Sequence, residues 1–262
     1  MLFRSNLGQF SALQQLDVHD NALTELAVPQ LLAMPNLRTL DARNNLIRKL
    51  PIALARQWSR SLPMGLSKLL LSGNPVAETL DWSSQQLTNN ANSFPSIVTQ
   101  LAATLTTLRL GHNNLTDVPA VLYACANLQT LDLSHNQLSA VTAQFSNQFP
   151  ALRSLDVSWN AITLTVGIDK WAHLQLFNAS FNQLINPNAV LSRVPRNCTV
   201  DLVGNWQAWE VDWRSSGLTY LNPGFCTIVN TVFAHFQDNQ LSALPACVAQ
   251  MKRLEQLDLR YN

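Results

Sequence analysis

Asparagine recurs along this chain on a period. Asn21, Asn45, Asn74, Asn113, Asn136, Asn160, Asn182, Asn205, Asn239 and Asn262 mark it, and most successive gaps are 22 to 24 residues. The string around each is L-x-x-L-x-L-x-x-N-x-L. Clean copies are LQQLDVHDNAL (13–23), LTTLRLGHNNL (105–115), LQTLDLSHNQL (128–138) and LRSLDVSWNAI (152–162). Degraded copies are NCTVDLVGNWQ (197–207) and the stretch ending FQDNQL (236–241). A period of this length leaves few folds open. Each unit is too small to bury a core of its own and must stack on its neighbours.

The x-L-x-L-x centre of each copy reads as a short strand whose alternate residues face in and out. In LQTLDLSHNQL, Leu131 and Leu133 point inward while Thr130, Asp132 and Ser134 point outward. The roughly four large apolar side chains that one rung buries do not offset the backbone entropy of ordering it. A stack does, because neighbours cover each other's faces. The asparagine turns inward after the strand and bonds backbone groups of adjacent turns, so all ten ladder asparagines are read as structural.

These phased motifs resemble the leucine-rich repeat family over nearly the whole chain. The resemblance implies an α/β fold, a horseshoe solenoid over residues 1–262. About ten short strands would form a parallel sheet on the concave face, with helical, 3₁₀ or irregular return segments on the convex face. The return segments LTDVPAVLYACANL (115–128) and LSALPACVAQMKRL (241–254) each carry a proline placed to open a short helical or 3₁₀ turn. They follow the L-x-x-L-P style of return segment and depart from the G-x-I-P style of plant receptor ectodomains.

Two gaps are long, 39 residues from Asn74 to Asn113 and 34 from Asn205 to Asn239. The stretches entering them, GNPVAETLDWSSQQLT (73–88) and GNWQAWEVDWRSSGLT (204–219), are identical at eight of sixteen positions. FPSIV (94–98) and FCTIV (225–229) follow them. The first rungs also match (10–23 with 149–162), as do the closing rungs (119–136 with 245–262). The chain therefore reads as two superunits of five rungs, about 10–138 and 149–262. Trp82 and Trp213, each after an aspartate, occupy one position, expected under an enlarged return segment on the flank. Trp206, Trp209 and Trp213 would share one helix face if that stretch is helical. Trp206 and Trp209 lack aromatic counterparts in the first copy and are candidate partner contacts.

Composition excludes several functions. Charged residues are 13% of the chain and the net charge is +1, which gives no electrostatic footprint for nucleic acid. No apolar run is long enough to span a bilayer, so no membrane insertion by this segment is expected. No phosphate loop, zinc-binding H-E-x-x-H or nucleophile elbow occurs, and neither enzymatic activity nor a cofactor is expected. His112 and His135 share a position in adjacent rungs, but two imidazoles without further ligands do not make a metal site. Cys125, Cys198, Cys226 and Cys247 form no C-x-x-C pair; buried free thiols are the plain reading, with disulfides left open.

What remains is a surface. The residue before the ladder asparagine runs His112, His135, Trp159, Phe181 over successive rungs, and the outward strand column beside it runs Arg109, Asp132, Asp156, Asn178, Asp201. Rigid aromatic area with polar groups alongside is what a protein-binding hot spot uses. Sequons stand at Asn114, Asn178 and Asn197, and a glycan at Asn178 would obstruct that face.

The resemblance implies a protein or peptide ligand. Low charge and the sequons favour a glycosylated ectodomain of a surface receptor or membrane protein involved in signalling, on the extracellular face of the plasma membrane. A cytoplasmic scaffold or adaptor, and a structural cell-surface adhesion array, are the alternatives. The chain opens without a signal peptide and stops after a clean rung, as expected of a fragment.

Overall fold

The computed structural model describes residues 9–59, 66–90, 94–184, 188–191, 193–205 and 210–262. The chain divides into two compact units, Met1–Leu131 and Asp132–Asn262, and the division falls within the rung expected to close the first superunit.

The first unit contains strands β1 (Gln15–Asp17), β2 (Thr39–Asp41), β3 (Lys68–Leu70), β4 (Thr79–Asp81) and β5 (Thr107–Arg109); β6 (Thr130–Asp132) crosses the division. The second contains β7 (Ala140–Val141), β8 (Ser154–Asp156), β9 (Leu164–Thr165), β10 (Leu176–Asn178), β11 (Thr199–Asp201), β12 (Glu210–Asp212), β13 (Phe233–His235) and β14 (Gln256–Asp258). Pairing is parallel and in register. Leu16, Leu40 and Leu69 align, as do Leu80 with Leu108, Leu155 with Phe177 and Val200, and Val211 with Ala234 and Leu257. Between rungs the chain returns through short α-helices, such as Val28–Leu32 and Ala143–Gln148, or 3₁₀ turns. Pro119 and Pro245 immediately precede the 3₁₀ turns Ala120–Ala124 and Ala246–Gln250, as the sequence predicts.

The asparagines close the backbone between rungs. Asn160 Nδ2 donates to the carbonyls of Leu133, one rung back, and of Val157 and Ser158 in its own rung, while its Oδ1 accepts from the Leu138 N–H. Asn45, Asn182, Asn205 and Asn262 repeat this pattern. Asn74 likewise bonds Ala42 and Leu71 and accepts from Ile47. Asn136 donates to Leu133 and Ser134. Asn21, in the first described rung, donates to Val18 and His19.

The two long gaps each conceal a further rung. Of the fourteen strands among the described residues, β7 and β9 pair with each other, and the other twelve are rung strands, against ten ladder asparagines. The extra two, β4 and β12, are the segments ending in Trp82 and Trp213. Each tryptophan fills the second core position, and Gln85 or Ser216 stands where asparagine would. The next rung's asparagine compensates. Asn113 Oδ1 accepts from both Gln85 and Leu87, and its Nδ2 donates to the Trp82 carbonyl. Asn239 treats Ser216, Leu218 and Trp213 the same way.

These short rungs also displace the strand lane. Leu69 and Leu80 are eleven residues apart, and β4 does not pair with β3, which ends a three-stranded sheet. Instead the chain from Val76 to Trp82 runs beside the return segment of the rung before. The Val76 N–H donates to the Ile47 carbonyl (3.0 Å), and Trp82 Nε1 donates to the Leu50 carbonyl (2.9 Å). The open edge of β3 meets the 3₁₀ turn Ser96–Gln100, whose Gln100 Oε1 accepts from the Leu69 N–H. The second unit repeats the device: β11 and β12 belong to different sheets, and the Leu202 N–H donates to Thr227 Oγ1. The flank placement expected for the tryptophans holds relative to the preceding rung. The enlarged return segment does not, because each stretch is a strand. Trp213 therefore lies at a strand end, not on a helix face. Trp206 and Trp209 fall outside the described residues.

Both tryptophans are core. Trp82 packs edge-on against Phe94 (6.0 Å between centroids), and Trp213 against the equivalent Phe225 (5.6 Å) and against Phe236. Of the cysteines, Cys125 and Cys198 are buried free thiols, and burial pushes both up to about 11. The free-thiol reading fails for the other pair: Cys226 and Cys247 form a disulfide between consecutive 3₁₀ turns. The first copy has Pro95 and Val121 at these positions, so no repeat signal pointed to it.

Candidate interaction face

Every described rung turns out of its strand through one left-handed residue immediately before the ladder position. The column is Asp20, Asn44, Gly73, Ser84, His112, His135, Trp159, Phe181, Gly204, Ser215, Asp238 and Tyr261, with φ between +51° and +74°. Glycine, asparagine and aspartate reach this region most readily. Trp159, Phe181 and Tyr261 do not, so a bulky aromatic here is held against its own backbone preference.

In the second unit three members of this column stack. His135 lies over Trp159 with centroids 5.2 Å apart and planes 8° from parallel; Trp159 lies over Phe181 at 4.1 Å and 16°. Phe181 in turn covers Gly204, where a β-carbon would meet its Cδ1 at 2.5 Å. The ring faces are thus spent on one another, and the edges meet solvent: Trp159 is 50% and Phe181 41% exposed. Leu176, on the outward side of β10, adds further exposed apolar area. The first unit builds the equivalent column from polar groups, with Asn44 Nδ2 donating to Asp20 Oδ1 (2.7 Å) and Asn44 lying over Gly73. His112, also in the first unit, is exposed with φ +56°.

Beside the rings runs the outward strand column. Its aspartates cap the strand ends by accepting the N–H two residues on, as in Asp132 with Ser134, Asp156 with Ser158 and Asp201 with Val203. Asn178 does the same for Ser180, and its Nδ2 donates to Asp156 Oδ2 (2.9 Å). The amide nitrogen of this sequon is therefore engaged on the strand face, whereas Asn114 and Asn197 are exposed.

In other rungs an arginine completes the cap. Arg214 forks onto both oxygens of Asp212 and holds its carboxyl down at about 2; Arg260 does likewise to Asp258. Arg43 forks onto Asp41 and lowers it. In the first rung the hydrogen bond that His19 donates to the Asp17 carboxylate raises His19 and lowers Asp17. Asp17, His19 and Asp41 hold possible ligand atoms within 4.8 Å of one another, a grouping the sequence did not suggest. His19 and Arg43 already engage these carboxylates, which makes it an ion-paired cluster. Among the described residues no helix is long and apolar enough to cross a membrane.

Residues 103–162 match the family model described as Leucine rich repeat. No curated protein matches the chain. Among solved structures, it is similar to a leucine-rich repeat protein of Leptospira interrogans (23% identity, 97% of this chain and 68% of that one, TM-score 0.35). It is also similar to an internalin of Listeria monocytogenes (16%, 97% and 68%, 0.39). A third is the leucine-rich repeat ectodomain of a membrane receptor kinase of Arabidopsis thaliana, solved in complex with Casparian strip integrity factor 2 (24%, 97% and 30%, 0.43). Likeness at these scores carries no argument about ligand. The family match is confined to residues 103–162.

Proposed function

We propose that the chain is a leucine-rich repeat protein, of a class whose modules are typically non-catalytic and bind other proteins, and that it binds a protein or peptide through the second unit's face centred on Trp159 and Phe181. One observation carries this reading: two large aromatic side chains sit half-exposed at left-handed positions, fixed by stacking into a rigid ridge. Stacked rings lose little further rotamer freedom on binding, so the area they cover counts nearly in full toward affinity. Asp156 and Asn178, locked together beside them, provide registration.

We further propose that this face belongs to the ectodomain of a surface receptor or membrane protein. The disulfide Cys226–Cys247 supports an oxidising compartment over the cytoplasm, as do the exposed sequons at Asn114 and Asn197.

Binding is tested by selecting binders from a displayed peptide library and titrating them by calorimetry against the wild type, Trp159→Ala and Phe181→Ala. Truncating a hot-spot ring weakens affinity by about tenfold or more; unchanged affinities in both variants overturn the reading. Location is tested on intact, unpermeabilised source cells with an antibody to the chain. Labelling only after permeabilisation, with no glycan released from Asn114 or Asn197, rejects the extracellular assignment.

A further inference from the structure

The aspartates beside the aromatic ridge differ from Asp41, Asp212 and Asp258, and the residue two places after each one makes the difference; Asp81, followed by Ser83, is of the ridge kind. Where that residue is Arg43, Arg214 or Arg260, the carboxylate is neutralised within its own rung. Next to the ridge the same position holds Ser134, Ser158 and Val203. Asp132, Asp156 and Asp201 therefore accept N–H, hydroxyl and amide donors, and among the described residues no lysine, arginine or histidine pairs with any of them.

These residues occupy rungs joined by the hydrogen bonds from Leu133 to Asp156 and from Val157 to Asn178, and by the β10–β11 register. Adjacent rungs stand about 4.8 Å apart. The result is a row of uncompensated charge parallel to the ring column, three residues away along each strand. The ring faces are covered, and the exposed edge of an aromatic ring is the positive side of its quadrupole, so the rings themselves offer a cation nothing. A cation approaching this face is drawn to the carboxylates and an apolar group to the ring edges, so the two stripes select for different halves of one partner.

Resting on the binding face proposed above, we infer that its partner is a polypeptide segment carrying lysine or arginine beside an apolar or aromatic side chain. Its cations complete the three carboxylates as Arg43, Arg214 and Arg260 complete theirs, and its apolar groups cover the edges of Trp159 and Phe181.

The test uses three short synthetic peptides of equal aromatic content, with lysine and arginine, glutamine, or glutamate at the remaining positions. Binding to the whole chain is followed by fluorescence anisotropy at low and high salt. The basic peptide binds about tenfold or more tighter than the glutamine peptide, and salt erodes that margin. The triple variant Asp132→Asn, Asp156→Asn, Asp201→Asn removes the margin. Asparagine keeps the oxygen that caps each strand end, and an unchanged melting curve establishes that the variant is folded. Equal or tighter binding of the glutamine or glutamate peptide, no binding of the basic one, or a margin that survives in the folded triple variant overturns the inference. If all three peptides bind with dependence on Trp159 and Phe181 but not on charge, the face stands and only the partner's chemistry is wrong. If binding is indifferent to both rings, the face itself is wrong.

Discussion

The ring of Phe181 stands where a side chain on Gly204 would have to go. A β-carbon on Gly204 would meet Phe181 Cδ1 at 2.5 Å, and Gly204 itself has φ +74°. The end of the aromatic ridge is therefore closed by the absence of a side chain in the next rung. Gly204→Ala is expected to destabilise the protein by about 1–2 kcal/mol from the left-handed backbone alone, and to displace the Phe181 ring as well. Urea denaturation reads the first effect and the near-ultraviolet circular dichroism of the stacked rings the second. An alanine variant with the wild-type midpoint and an unaltered aromatic spectrum would contradict the packing described.

Trp82 and Trp213 occupy equivalent positions but are held differently. Trp82 Nε1 donates to the Leu50 carbonyl, whereas Trp213 Nε1 is buried without a partner among the described residues. Both Trp→Phe changes remove ring volume from the core, but only Trp82→Phe also strands a carbonyl. Trp82→Phe should cost more than Trp213→Phe by about 1–3 kcal/mol. Equal losses in chemical denaturation would mean that the hydrogen bond contributes nothing.

Asp212 and Asp258 are held at about 2 by their arginine forks, below the usual carboxylate value of 3.8. A carboxyl with a lowered folded pKa adds stability that is complete above the unfolded value and lost as pH falls through the folded one. Melting temperature is thus expected to fall between about pH 4 and pH 2, in part because of these two groups. The effect is modest because both ion pairs are solvent-facing. In Asp212→Asn the decline over that window should be shallower. A variant whose pH profile parallels the wild type would remove the fork from the account.

The cysteines make a labelling prediction. Cys125 and Cys198 are buried with thiols raised to about 11, so iodoacetamide should modify neither in the native, unreduced protein. Denaturation without reduction exposes two thiols, and reduction adds the Cys226–Cys247 pair. Mass spectrometry finding four alkylated cysteines before reduction would exclude the disulfide.

The ladder was readable in the sequence because most of its asparagines bond backbone groups of their own rung and of the one before through a single side-chain amide. The rungs ending in Trp82 and Trp213 escaped for the complementary reason. Gln85 and Ser216 leave that bonding to Asn113 and Asn239, so the motif that marks a rung is missing where a rung exists. Their spacing still registered as two long gaps, and their identity to each other as a duplication. The aromatic column could be listed from the sequence, but not its geometry. That His135, Trp159 and Phe181 stack, and that Gly204 ends the stack, follows from a left-handed turn the letters do not display. The disulfide joins residues with no cysteine counterparts in the first copy, and spacing alone could not pair them.

Because amides on the inside and strand-end carboxylates on the outside already close the backbone, the side chains at the non-glycine left-handed positions are not needed for that closure; their backbone N–H groups bond the next rung, as in Trp159 to Ser180. These positions behave as sockets. The polar set Asp20, Asn44 and Gly73 and the aromatic set Trp159, Phe181 and Gly204 fill equivalent sockets on a common frame. The ring pair, though not the carboxylates beside it, is accordingly expected to transfer to the first unit by exchanging two side chains, with the hydrophobic interior left as it is.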